Sequence, residues 1–142
     1  MTNDTQLADI PARYFEAWGG RDPHALDKFF ADQFLWEDPL LPQPVTDLKG
    51  AQQFLQGSWK NFSDMRYEMI GGPMVDTVNN RVSQQWRMLA TNDGALVPGK
   101  PASGNRVDVI GIDVWTVEKG LVTQMRACYD ALGLMKQIGG KS

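Results

Sequence analysis

The apolar positions of the chain change period once, near Asp64. Before that point Leu7, Ile10, Pro11, Tyr14, Phe15 and Trp18 fall on one stripe, the repeat of a helix with a single inward face. Gly19 and Gly20 are its expected stop, and Pro11 fits either as an early helical position or as a kink. Asp22-Pro23 predicts a second, short helix to about Phe30 that buries Leu26, Phe29 and Phe30. FLWED then reads as a strand closed by Pro39, which has no N–H for a central ladder. Beyond the loop PLLPQPVTDLKG, a third helix carries Phe54, Leu55 and Trp59.

From Asp64 onward the repeat is two. Segments near 65–75, 81–91, 106–118 and 121–129 read as long strands, joined by Asn79-Asn80, a Gly/Pro-rich loop and Glu118-Lys119-Gly120. ALGLMKQIG near the C-terminus is a short helix ending at glycine. Three N-terminal helices followed by a mostly antiparallel sheet make the class α+β, with the helices packed on one face of a curved sheet.

Composition narrows what such a fold can do. A chain of 142 residues suits one domain spanning residues 1–142, and at this size folding buries roughly 68–70% of the unfolded surface. Lys and Arg total 14 against 17 Asp and Glu, a net charge of -3, which argues against an electrostatic grip on nucleic acid. No basic amphipathic stretch suggests a membrane surface. Cys128 is the only cysteine, and MTNDTQLADIPARYF shows no charged leader followed by an apolar run, so the expected compartment is the reducing cytoplasm. His24 is the only histidine and sits in an expected exposed first turn, so neither a Cys/His zinc site nor a buried Ser-His-Asp relay fits. Any catalysis then runs on carboxylates and tyrosines, without metal or cofactor.

Strand alternation puts Phe34, Trp36 and Asp38 on one face of FLWED and Leu35 and Glu37 on the other. An aspartate facing apolar neighbours has its charged form disfavoured, which moves it toward a useful general base. The alternative is that Asp38 caps the turn before Pro39. In VDVIGIDVWTV both faces are apolar, so Asp113 is buried whichever way it points. A lone buried carboxylate stays protonated and can donate a hydrogen bond, unless an arginine such as Arg87 or Arg126 pairs with it from a neighbouring strand. Tyr14 lies on the apolar stripe of the first helix, where it is either a core tyrosine or a hydroxyl presented to a site.

DGALVPGKPASGN is a plain hairpin loop or a rim over a pocket. Its GALVPGKP approaches a phosphate-binding loop, but Pro101 replaces the hydroxyl that would hold a metal and a strand follows, so no nucleotide site is expected.

ARYFEAW, FFADQFLWEDP and VIGIDVW, in this order and spacing, resemble the ketosteroid isomerase (steroid Δ-isomerase) family of the nuclear-transport-factor-2-like superfamily. The resemblance runs from about residue 8 to 138. It implies a cone-shaped fold, a curved sheet whose concave face is covered by helices around an apolar pocket, in a homodimer that the apolar second face of the Asp113 strand would also suit. It places the catalytic tyrosine at Tyr14, the general base at Asp38 and the oxyanion-hole aspartate at Asp113. Trp36, Trp86, Met88, Trp115 and Tyr129 would line the walls, and the substrate would be a 3-oxo-Δ5 steroid or a similar apolar polycyclic ketone. Tyrosines that support the oxyanion network in some members are replaced here by Phe30 and Ser58, and a pocket tryptophan by Tyr129.

GALVPGKPASGNRVDVIGIDVW and DALGLMKQIG are more similar to the SnoaL-like polyketide cyclases, a sister family. That resemblance implies a cyclase, or an epoxide hydrolase-type enzyme, using Asp38 or Asp130 differently. Ala127 stands where the cyclases carry an aspartate, and Asp113 where they tend to carry histidine. A noncatalytic small-molecule-binding domain of the same fold is a further reading.

Overall fold

The computed structural model describes residues 4–96 and 99–139. Helix α1 (Asp4–Gly20) buries the expected stripe, including Leu7, Ile10, Tyr14 and Trp18. It continues through both glycines, and Arg21 makes the left-handed turn that ends it. The Arg21 guanidinium then donates to the carbonyls of Ser63 and Met65 at 3.0 and 2.9 Å, tying this turn to the start of the sheet.

The expected second helix is a four-residue 3-10 turn, Ala25–Lys28. The sheet takes the rest: Val122 N–H donates to Phe29 O at 2.8 Å, and Phe30 begins strand β1 (Phe30–Glu37). His24 is exposed beside Asp27. A short strand, β2 (Val45–Asp47), leads into α2 (Leu48–Asn61), whose first turn is capped by Asp47 Oδ1 accepting from Gly50 N–H at 2.8 Å.

Four long strands follow at the expected positions: β3 (Arg66–Asp76), β4 (Arg81–Thr91), β5 (Arg106–Glu118) and β6 (Leu121–Tyr129). Helix α3 (Ala131–Gly139) closes the chain. The six strands form one sheet in the order β2-β1-β6-β5-β4-β3, antiparallel except for the β1–β6 pair. The class is α+β, a curved, open, mostly antiparallel sheet with helices on its inner face.

The curvature has a local cause. The β3–β4 register slips between Ile70 and Met74, around Gly71 with its positive φ, and such a bulge bends its strand and frees ladder carbonyls. Gln84, fully buried on β4, donates through Nε2 to Ile70 O and Gly71 O, both at 3.1 Å. These bonds satisfy the amide nitrogen of a glutamine inside an apolar core, whereas its Oε1 is buried without a partner among the described residues.

Alternation sorts every long strand after the bulge. Val82, Trp86, Met88, Val107, Val109, Asp113, Trp115 and Val117 point inward, whereas Arg87 and Ile110 face out. Helix α3 seals one end through Leu134 and Ile138. It is held to β5 by Asp108 N–H donating to Gln137 Oε1 at 2.7 Å and Gln137 Nε2 returning to Asp108 O at 3.1 Å. The β4–β5 loop is anchored at its base by buried Asn92, which donates to Gly94 O and accepts from Ser103 N–H. Gly94 rests so closely on Lys60 O that a Cβ would lie 2.1 Å from it. Val97 and Pro98, part of the expected rim, lie outside the described residues. Among the described residues, no helix is long and apolar enough to cross a membrane.

Candidate functional site

Between α1, α2, α3 and the inner face of the sheet lies a cavity of about 180 Å³. Tyr14, Asp38 and Asp113 all line it, brought together from α1, the turn after β1 and the middle of β5. Trp86, Met88 and Tyr129 also line it. Trp36 and Trp115 do not: they are 1% and 0% exposed and pack edge-on against the Tyr14 ring, at 6.0 and 5.2 Å between centroids. Alternation gave their face correctly but not their depth, and they support the wall from behind.

Asp38 caps a turn and also lines the cavity. Its Oδ1 accepts from Leu40 N–H at 2.9 Å, and its carbonyl accepts from Leu41 N–H at 3.0 Å, so it does cap the turn. The Tyr129 hydroxyl donates to the same Oδ1 at 2.6 Å. Both side-chain contacts fall on one oxygen, leaving Oδ2 with no protein partner among the described residues. Burial pushes the Asp38 carboxyl above its ordinary range, partly offset by the Tyr129 and Leu40 hydrogen bonds. An anchored carboxylate with a raised pKa and one free oxygen can act as a general base. Its neighbour Glu37 turns outward to Arg126 at 2.7 Å.

Asp113 is 3% exposed, and its Oδ1 is buried without a hydrogen-bond partner. Neither candidate cation reaches it, because Arg87 pairs with Asp108 across β4–β5 and Arg126 with Glu37, both on the outer face. Burial holds its carboxyl well above the usual range. The nearby Trp86 indole N–H offsets part of this, although it falls outside hydrogen-bond geometry, and the Asp38 charge adds to the rise. Burial without a counter-ion favours the neutral acid, which is a hydrogen-bond donor. Burial, reinforced by Asp113, likewise keeps the Tyr14 phenol in its neutral form.

Gly111 makes the arrangement possible. It pairs with Trp86 on one side and Tyr129 on the other. A Cβ at this position would lie 2.5 Å from Trp86 Cζ2. Without it the indole lies over the strand and meets the Tyr129 ring at 5.7 Å, which helps aim the Tyr129 hydroxyl at Asp38.

Asp130, the other carboxylate considered from sequence, is exposed. Its Oδ1 caps α3 by accepting from Gly133 N–H at 2.8 Å, and it does not line the cavity. Tyr67, not among the residues expected from sequence, also lines the cavity, opposite Met88 in the β3–β4 register. The alternation of Met65 and Tyr67 at the start of β3 was the available signal. All three tyrosines of the chain therefore face this space. No Lys, Arg or His lines it among the described residues.

A model of the SnoaL-like domain matches residues 12–125. The chain belongs to the SnoaL-like family. It is thus a member of the nuclear-transport-factor-2-like superfamily, and solved structures share the fold over the whole chain. A candidate SnoaL-like polyketide cyclase from Jannaschia sp. CCS1 matches with a TM-score of 0.84 and 22% identity, covering 100% of this chain and 99% of its own. A candidate polyketide cyclase from Acidithiobacillus ferrooxidans gives 0.79 and 22%, covering 100% of each chain. A candidate isomerase of the SnoaL-like family from Agrobacterium tumefaciens gives 0.67 and 21%, over 89% of this chain and 99% of its own. No curated protein matches the chain.

Proposed function

We propose that this SnoaL-like protein is a cofactor-independent enzyme that moves a proton next to a carbonyl, shifting a C=C bond in an apolar polycyclic ketone such as a 3-oxo-Δ5 steroid. The observation that carries the reading is the convergence of Tyr14, Asp38 and Asp113 on one cavity whose lining holds no Lys, Arg or His among the described residues. Asp38 Oδ2 takes the proton from the carbon alpha to the ketone, and the electron pair moves onto the carbonyl oxygen. Tyr14 and neutral Asp113 donate hydrogen bonds to that oxygen as its charge develops. Asp38 then returns the proton at the gamma carbon, the far end of the dienolate, and the carbonyl re-forms in conjugation with the shifted C=C bond, so the reaction is redox-neutral.

The walls fit a ligand without a fixed charge, since the lining is mostly apolar and holds no Lys, Arg or His among the described residues. The volume of about 180 Å³ is little more than the roughly 150 Å³ that takes one benzene. The reacting ring lies inside, and the rest of a larger polycycle extends to the mouth beside Leu40 and Leu96, which line the cavity yet are 40% and 37% exposed. The outer face of the sheet exposes Ile110, Ile70 and Met74, which supports a homodimer assembled on that face. Cys128, exposed and free of a disulfide, suits a cytoplasmic location.

The test is the growth of dienone absorbance from a Δ5-3-ketosteroid. Turnover that is abolished in Asp38→Asn and weakened in Tyr14→Phe is expected. The family match supports a second reading, an aldol-type cyclase in which the enolate carbon attacks an internal carbonyl and Asp38 protonates the resulting alkoxide. Ala127 brings no carboxylate to the cavity, so Asp38 would be its sole base. Ring closure of a polyketide aldehyde with no steroid turnover would select this reading, and ligand binding without turnover of either substrate would refute both.

A further inference from the structure

Beside the two expected oxyanion donors, the cavity carries a third phenol on a different element. Tyr67 enters from β3, the strand farthest from β1 in the sheet. Its ring is clamped by Phe15 at 5.0 Å, Trp86 at 5.3 Å and Trp18 at 5.5 Å between centroids. Three rings from α1 and β4 thus fix its direction, and register places it opposite Met88, itself a wall residue. The hydroxyl has no hydrogen-bond partner among the described residues and is not sealed from the cavity. A rigidly aimed O–H facing an apolar space is satisfied only by a ligand atom or water.

We infer that Tyr67 is a third hydrogen-bond donor to the carbonyl oxygen of the bound compound, alongside Tyr14 and Asp113. The inference rests on the proton-transfer reading above and adds a residue to its machinery. Its electrostatic setting agrees: burial first, then Asp113 and Asp38, holds the phenol well above its ordinary range, so it remains a donor. A phenol donor strengthens as the oxygen gains charge, whereas a purely structural wall residue would not respond to that charge.

The probe is 2-naphthol, whose ionised form mimics a dienolate and absorbs differently from the neutral form, with naphthalene as the uncharged control. In the native protein, bound naphthol should be more ionised than free naphthol at the same pH. Tyr67→Phe should lower naphthol affinity about ten-fold, the loss of one hydrogen bond to a charged oxygen. The bound ionised fraction should fall with it, while naphthalene affinity stays unchanged. Equal losses for naphthol and naphthalene, or no loss for either while Tyr14→Phe still weakens naphthol, would overturn the Tyr67 assignment and leave the proton-transfer reading standing. If naphthol binds the native protein without extra ionisation, the oxyanion site itself is refuted, and Tyr67 with it. Should Tyr67→Phe not fold, 3-fluorotyrosine placed at position 67 keeps the shape and acidifies the hydroxyl. A raised ionised fraction then supports the assignment and an unchanged one refutes it.

Discussion

Asp113→Asn changes one buried oxygen for nitrogen and removes a titration. In the folded chain the carboxyl is 3% exposed, has no cation, and is held well above its reference value of 3.8, chiefly by burial. The unfolded chain releases this proton from about pH 3.8 upward while the folded chain keeps it. Folding therefore takes up a proton, and the contribution of Asp113 to stability falls as pH rises through that window. For each pH unit over which the folded carboxyl stays protonated, the native protein loses about 1.4 kcal/mol relative to the variant. Between about pH 5 and about pH 7 the stability difference should therefore move in favour of Asp113→Asn. Asp64, Asp76, Asp93 and Asp108, whose carboxyls are shifted downward by hydrogen bonds, titrate in both proteins and cancel. Urea unfolding followed by tryptophan fluorescence at each pH gives the two stabilities. A pH-independent difference, or one that moves toward the native protein, would mean that Asp113 is ionised in the folded state and would remove it as a neutral donor. The variant should also lose activity, the familiar exchange of stability for a site that is costly to bury.

Three further substitutions test the supports of the site. Tyr129→Phe removes the hydrogen bond that favours ionised Asp38, so the acid limb of the kcat/KM profile should move to higher pH; a limb that stays put would show that the contact does not tune the base. Gly111→Ala puts a methyl group against Trp86 and should cost about 1–3 kcal/mol by overpacking, read as a lower urea midpoint together with weaker naphthalene binding. Trp115→Ala should destabilise the fold by about 3–5 kcal/mol, as expected of a core residue. A stable Trp115→Ala variant with impaired ligand binding alone would return Trp115 to the cavity wall.

The change of hydrophobic period near Asp64 carried most of the architecture. Four strands fall where alternation puts them because each buries one face, and a one-residue slip would expose that whole face. The same alternation turned Asp38 and Asp113 inward and Glu37 outward, since facing is a local property of a strand. The short helix after Pro23 stops at Lys28, short of the expected Phe30, because β6, some ninety residues later, pairs with Phe29 and Phe30.

What sequence could not carry is depth and partnership. Trp36, Trp86 and Trp115 share one inward facing, and only the course of α1 across the sheet decides that Trp86 meets the cavity while the other two lie beneath it. Arg87 and Arg126 were credible partners for Asp113 until cross-strand register sent both to the outer face. The contact of Tyr129 with Asp38 joins residues 91 apart through the parallel β1–β6 pairing. By itself, then, the sequence determined which side chains turn inward. Tertiary packing decided which of them meet, because hydrophobic burial is indifferent to neighbours whereas a hydrogen bond requires one specific atom within about 3 Å.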